Sequence, residues 1–102
     1  MIKKMVLCLI GLLMISPMPV EAVPEYAKWG AIAVKETQMR YNADIIDYKH
    51  LGRTKLTPET VEEKFKMWLR RHDGKEFGVY VSIRINVSTD VIQSIRFTET
   101  DR

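Results

Sequence analysis

The chain has 102 residues, with 16 Lys and Arg against 13 Asp and Glu, 46% hydrophobic residues and one cysteine. That length holds one domain, and the apolar-to-charged balance is that of a globular chain, which excludes an intrinsically disordered one. A lone cysteine excludes an internal disulfide framework.

The N-terminus stands apart in composition. Lys3 and Lys4 precede an apolar run from Met5 to Ile15, and Ser16, Pro17 and Pro19 lead into Val20-Glu21-Ala22. These are the three parts of a secretory signal peptide, residues 1–22, with cleavage after Ala22. A membrane-spanning helix needs roughly 20 apolar residues, and the prolines stop this run short. Cys8 leaves with the peptide, so residues 23–102 are expected to form a single cysteine-free domain, outside the membrane, with no integral membrane segment left after cleavage. Thiolate catalysis and cysteine metal sites are excluded with it. Without Lys3, Lys4 and Glu21 the formal charge falls from +3 to +2, too little for the basic stripe of a nucleic-acid binder.

Pro24 to about Tyr41 reads as a helix, with Glu25 in the first turn, Trp29, Ile32, Ala33, Glu36, Met39 and Arg40 at three-to-four spacing, and Asn42 as C-cap. Gly30 inside it either lets another element approach closely or marks a weak first turn. Asp44 to Leu51 reads as a strand closed by Gly52, with Ile46, Tyr48 and His50 expected inward. Thr57 as N-cap, Pro58 at the first position, Glu59, Glu62 and Glu63 early and Lys64, Lys66, Arg70 and Arg71 late predict a second helix over Pro58 to His72. Its apolar stripe would be Val61, Phe65, Trp68 and Leu69, with Gly74 as the terminating residue. From Phe77 to Val87 apolar residues alternate with Gly78, Tyr80, Ser82, Arg84 and Asn86, a strand buried on one face. Asp90 to Thr98 is its hairpin partner. A loop of Ser88, Thr89 and Asp90 pairs Val87 with Val91, Ile83 with Ile95 and Val81 with Phe97, and it relies on Asp90 accepting a left-handed conformation. The expected class is α+β: two helices on one face of a small, largely antiparallel three-stranded sheet, in the order α-β-α-β-β, with the other sheet face solvated.

Lys28-Trp29-Gly30-Ala31-Ile32-Ala33, the stretch Ile45 to Arg53, Thr60 to Leu69 with its Phe65 and Trp68, and Glu76-Phe77-Gly78-Val79 together resemble the YqzG/YhdC-like family, small secreted proteins of bacilli whose function is unknown. The resemblance covers essentially all of residues 23–102 and implies export but no activity. More loosely, the element order is similar to PepSY-like or cystatin-like domains, which would imply peptide or protease binding by fold analogy alone.

The two histidines, His50 and His72, are weak candidates for chemistry. Asp47, three residues from His50, points to the opposite face of a strand, Asp44 shares its face with two side chains between, and His72 complements a helix dipole. Arg70-Arg71-His72 reads as dipole complement before it reads as an anion contact. Trp29, Phe65 and Trp68 read as core. On the solvated face, Tyr80, Ser82, Arg84, Ser94 and Arg96 lie together, and Tyr and Arg are the types enriched where proteins bind partners. The expectation is a secreted or envelope-associated, non-catalytic binding module for a protein, peptide or cell-wall polymer, using either the outer hairpin face with Tyr80, Arg84 and Arg96 or an exposed sheet edge, with no cofactor, metal or nucleic acid. The alternative is an extracellular enzyme or protease inhibitor centred on His50 with Asp44 or Glu99.

Overall fold

The computed structural model describes residues 26–102, so the expected signal peptide lies outside the described residues. One helix, α1 (Tyr26–Tyr41), is followed by four strands: β1 (Asp44–Lys55), β2 (Thr60–Arg70), β3 (Glu76–Asn86) and β4 (Val91–Thr100). They form one sheet in the order β1-β2-β3-β4, each neighbour antiparallel. The helix packs on the face carrying Val61, Phe65, Met67, Leu69, Val79, Val81, Ile83 and Ile85, all buried. Fully burying each such side chain contributes about 1.5–3 kcal/mol.

This corrects the expected class: there is one helix rather than two, and four strands rather than three. The segment expected as a helix over Pro58 to His72 is strand β2. Val61, Phe65 and Leu69 are four apart, a spacing that satisfies both the helical period and the strand period of two. Met67 and Trp68 discriminate. A helix buries Trp68, whereas here Met67 is fully buried and Trp68 faces outward, half-buried. The cap is also real but serves another end: the Thr57 hydroxyl accepts the amides of Glu59 (3.2 Å) and Thr60 (3.0 Å), while Leu56 N–H donates to Thr60 O across a hairpin. Gly74, expected to end a helix, takes φ +90° in the β2–β3 turn, where its N–H donates to Arg71 O. Exposed His72 sits in that same turn.

Two bulges reshape β1. The register skips Ile46 and Leu51, and both are about 40% exposed. Tyr48 and His50 therefore face inward as expected, but Ile46 does not, because the bulge turns Ile45 toward the core in its place. Within the β3–β4 hairpin, Val81 opposes Phe97 and Ile83 opposes Ile95, as the alternation predicts. The expected Val87–Val91 pair is absent: Asn86 opposes Val91, the register shifts beyond Arg84, and both valines are exposed. Asn86 causes this, since its side-chain oxygen accepts the amides of Ser88 (2.9 Å) and Thr89 (3.1 Å) while Asp90, at φ +61°, donates its amide to Asn86 O. A four-residue turn thus replaces the three-residue one.

The expected helix start at Pro24 and Glu25 lies outside the described residues; the helix ends at Tyr41, and Asn42 follows in the left-handed conformation at φ +50°, as expected of a C-cap. Gly30 is there for close approach. A Cβ at that position would collide with the Tyr48 hydroxyl and touch Phe65, so the glycine lets the helix settle onto β1 and β2. Lys28 ties the first turn of the helix to Asp90 in the distant hairpin.

Candidate functional site

The outer sheet face is built by alternation. Each strand that sends an apolar residue inward sends its neighbours outward, and the register arranges those neighbours in ranks across the sheet. Asp47, Trp68, Gly78 and Thr100 form one rank; Lys49, Lys66, Tyr80 and Thr98 form the next; Lys64, Ser82 and Arg96 the third; Thr54, Glu62, Arg84 and Ser94 the fourth. The three residues expected to bind, Tyr80, Arg84 and Arg96, do share this face. Arg96 is exposed, while Tyr80 and Arg84 are half-buried.

Their circumstances differ. Arg84 donates to Glu62, its cross-strand partner, at 3.4 Å, so its charge is answered. Among the described residues Lys49, Lys64, Lys66 and Arg96 have no such partner. The Lys66 ammonium instead lies over two rings, 5.4 Å from Tyr80 and 6.0 Å from Trp68. A cation over an aromatic face is held by the ring quadrupole while keeping its charge.

Trp68, expected in the core, is a fixed part of this surface. Its Nε1 donates to Glu76 at 2.7 Å, and its six-membered ring, together with the Thr100 methyl, takes the space a Cβ on Gly78 would need. The other Glu76 oxygen accepts from Arg70 at 2.9 Å. Those two hydrogen bonds, the indole's first and the guanidinium's second, hold the Glu76 carboxyl below its ordinary range. Ion pairs thus close both ends of the face, Arg70–Glu76 at one and Glu62–Arg84 at the other, with unanswered cations between. The expected Arg70-Arg71-His72 group is divided between faces: Arg70 joins Glu76 outside, and Arg71 stacks on Phe77, of the buried face, at 4.4 Å. A helix over Pro58 to His72 does not place Lys64, Lys66 and Trp68 on this face; the extended strand does. The charged–apolar alternation Lys64-Phe65-Lys66-Met67 is the signal that marks them.

A second polar cluster lies on the inner face. Glu63, 1% exposed, stands among apolar residues, with His50 Nε2 at 2.7 Å and Arg53 Nε at 2.5 Å. Register explains the Arg53 partnership, since Arg53 is directly opposite Glu63. His50 stacks on Tyr26 with ring centroids 4.0 Å apart and planes 4° from parallel, and it also meets Phe65. The carboxylates expected beside His50 are elsewhere: Asp44 opposes outward-facing Arg70, and Glu99 lies on β4 at the far edge. With its Nε2 committed to Glu63 and its ring stacked, His50 locks β1 to β2 and to the start of α1. Next to it, burial foremost and the neighbouring Tyr26 second raise the Tyr48 phenol above its ordinary value. Among the described residues no three His, Cys, Asp or Glu side chains are grouped to hold a metal, and no helix is long and apolar enough to cross a membrane.

A family model described as "Protein of unknown function (DUF3889)" matches residues 6–99. Neither a curated protein nor a solved structure matches the chain.

Proposed function

We propose that this chain, which belongs to the DUF3889 family of proteins of unknown function, is an exported, non-catalytic module that binds an anionic partner through the outer face of its sheet. The observation that supports this reading is the band of four cations, Lys49, Lys64, Lys66 and Arg96, lying around Tyr80 and Trp68 without ion-pair partners among the described residues. Like charges gathered on one face repel, and a complementary anion relieves that repulsion. Arg84 borders the band, and Tyr80 seats Lys66 within it.

The signal-peptide pattern over residues 1–22 and the resemblance to the YqzG/YhdC-like proteins of bacilli support export. An exported protein meets the cell envelope first, and its anionic polymers fit this surface. The inner cluster supports a non-catalytic role, since its one imidazole is stacked and bonded into the structure.

Two measurements test the reading. N-terminal sequencing of protein harvested from the culture medium should begin at Val23, and an intact Met1 would refute export. Co-sedimentation with isolated cell envelopes should fall when Arg84→Ala and Arg96→Ala are combined; unchanged sedimentation would show that another surface binds.

A further inference from the structure

We infer that the anionic partner is a linear polymer with phosphates in its backbone, lying across the four strands. This rests on the outer-face reading above and names the chemistry it takes. The geometry is that of a band rather than a pocket. Lys49 and Lys66 stand side by side on β1 and β2, Lys64 follows in the next rank on β2, and Arg96 shares that rank on β4. Four strands at about 4.8 Å spacing carry the band roughly 14 Å across the sheet. A compact anion is held by cations that converge on one point; Lys49 and Lys66 line one small cavity with Asp47 and Trp68, but Lys64 and Arg96 stand outside it in the next rank, so the four do not converge. Beside them stand the hydroxyls of Tyr80, Ser82 and Thr98, which donate to phosphate oxygens, and the one carboxylate near Lys49, that of Asp47, lies at the margin of the band.

Three observations choose among polyanions. The backbone groups of β2 and β3 are paired on both sides, and those left free on β1 and β4 point along the sheet edges and away from this band, so a partner lying on the face meets side chains and none of the main-chain bonds by which a peptide adds to an edge. Three of the four cations are lysines, point charges that suit phosphates in any orientation, whereas paired carboxylates favour the bidentate fork of arginine. The aromatic rings are not open platforms for bases: Lys66 lies over both Tyr80 and Trp68, so they present a cation where a stacking base would need a bare face. What remains is a phosphate backbone without rings to stack, such as a polyol-phosphate chain.

The test is a salt titration of the purified protein with three probes of matched charge: a synthetic glycerol-phosphate oligomer, poly-glutamate and oligothymidylate, read by calorimetry. The glycerol-phosphate oligomer should bind, with log Kd rising against log salt at a slope of about 3, from roughly 0.7 per cation for four cations. Lys64→Gln with Lys66→Gln should halve that slope and weaken binding at least tenfold at low salt, and Lys49→Gln with Arg96→Gln should do the same from the two edge strands. Lys35→Gln on the exposed side of α1 should change nothing. Each variant is compared at the same melting temperature as the parent, and two independent pairs keep the test alive if one pair fails to fold. Equal binding of poly-glutamate, with the same loss in the variants, would overturn the phosphate-backbone assignment; equal binding of oligothymidylate would overturn the choice of a backbone without stacking rings; either result leaves the outer-face reading standing. No binding of any probe, or binding untouched by both pairs, would overturn both.

Discussion

Replacing Glu63 tests the least expected feature of the core. Its carboxylate is buried on the apolar face and answered by Arg53 and His50. Removing one member of a buried ion pair typically costs 3–5 kcal/mol because its partner is left uncompensated. Here the partners are not fully buried, since the Arg53 side chain is 36% exposed and that of His50 21%, so both regain some water and the loss is discounted. Glu63→Leu should therefore destabilise by about 2 kcal/mol, and Glu63→Gln, which keeps an acceptor but loses the charge, by about 1 kcal/mol. With a urea slope near 1 kcal/mol per molar for a domain of this size, the Glu63→Leu midpoint should fall by about 2 M. Adding Arg53→Met to Glu63→Leu removes the stranded charge and should recover most of the loss, since apolar replacements of buried ion pairs are often neutral. Urea titration followed by circular dichroism gives all three midpoints. A Glu63→Leu variant as stable as the parent, or a double variant no better than the single, would refute the clamp.

Gly30→Ala should destabilise by about 1–2 kcal/mol despite the better helix propensity of alanine, because the new methyl meets the Tyr48 hydroxyl; in a Tyr48→Phe background thermal melting should show a smaller penalty, and an equal one would refute the contact. The raised Tyr48 phenol gives an alkaline limit. The folded state disfavours phenolate, so this contribution is full below about pH 10, the ordinary tyrosine value, and is lost as pH rises through the raised one. Tyr48→Phe should flatten that alkaline fall in melting temperature. Glu76 behaves in the opposite sense: its lowered carboxyl contributes above the ordinary glutamate range and loses that contribution as pH falls through the folded value. Trp68 fluorescence should shift over that acid range, and Glu76→Gln should abolish the shift.

The parts of the fold legible from sequence are those where one period alone fits. The alternation of β3 placed Tyr80, Ser82 and Arg84 on one face, apolar matching across the hairpin found the Ile83–Ile95 and Val81–Phe97 pairs, and Asn42 marked the helix end. Strand β2 was illegible because Val61, Phe65 and Leu69 fit two periods, and because a buried Glu63 interrupts what would otherwise read as clean alternation. Its burial becomes reasonable only once Arg53 and His50 are known to lie opposite, which is long-range information. The bulges at Ile46 and Leu51 switch the inward parity of β1 on either side of Tyr48 and His50, bringing Ile45 and Arg53 inward, without any local signature. Part of the candidate site followed: Tyr80 and Arg96 are readable from β3 and β4, whereas Lys64, Lys66 and Trp68 depend on β2 being a strand.

The outer face exists only if residues 60–70 are extended, and one pair of substitutions asks that directly. In a strand, Met67 is in the core and Trp68 is on the surface, so Met67→Lys should lose at least 3 kcal/mol in urea unfolding or fail to fold, while Trp68→Lys should stay folded with a loss of about 1–2 kcal/mol. A tolerant Met67→Lys beside an unfolded Trp68→Lys would restore the helical stripe and contradict the account.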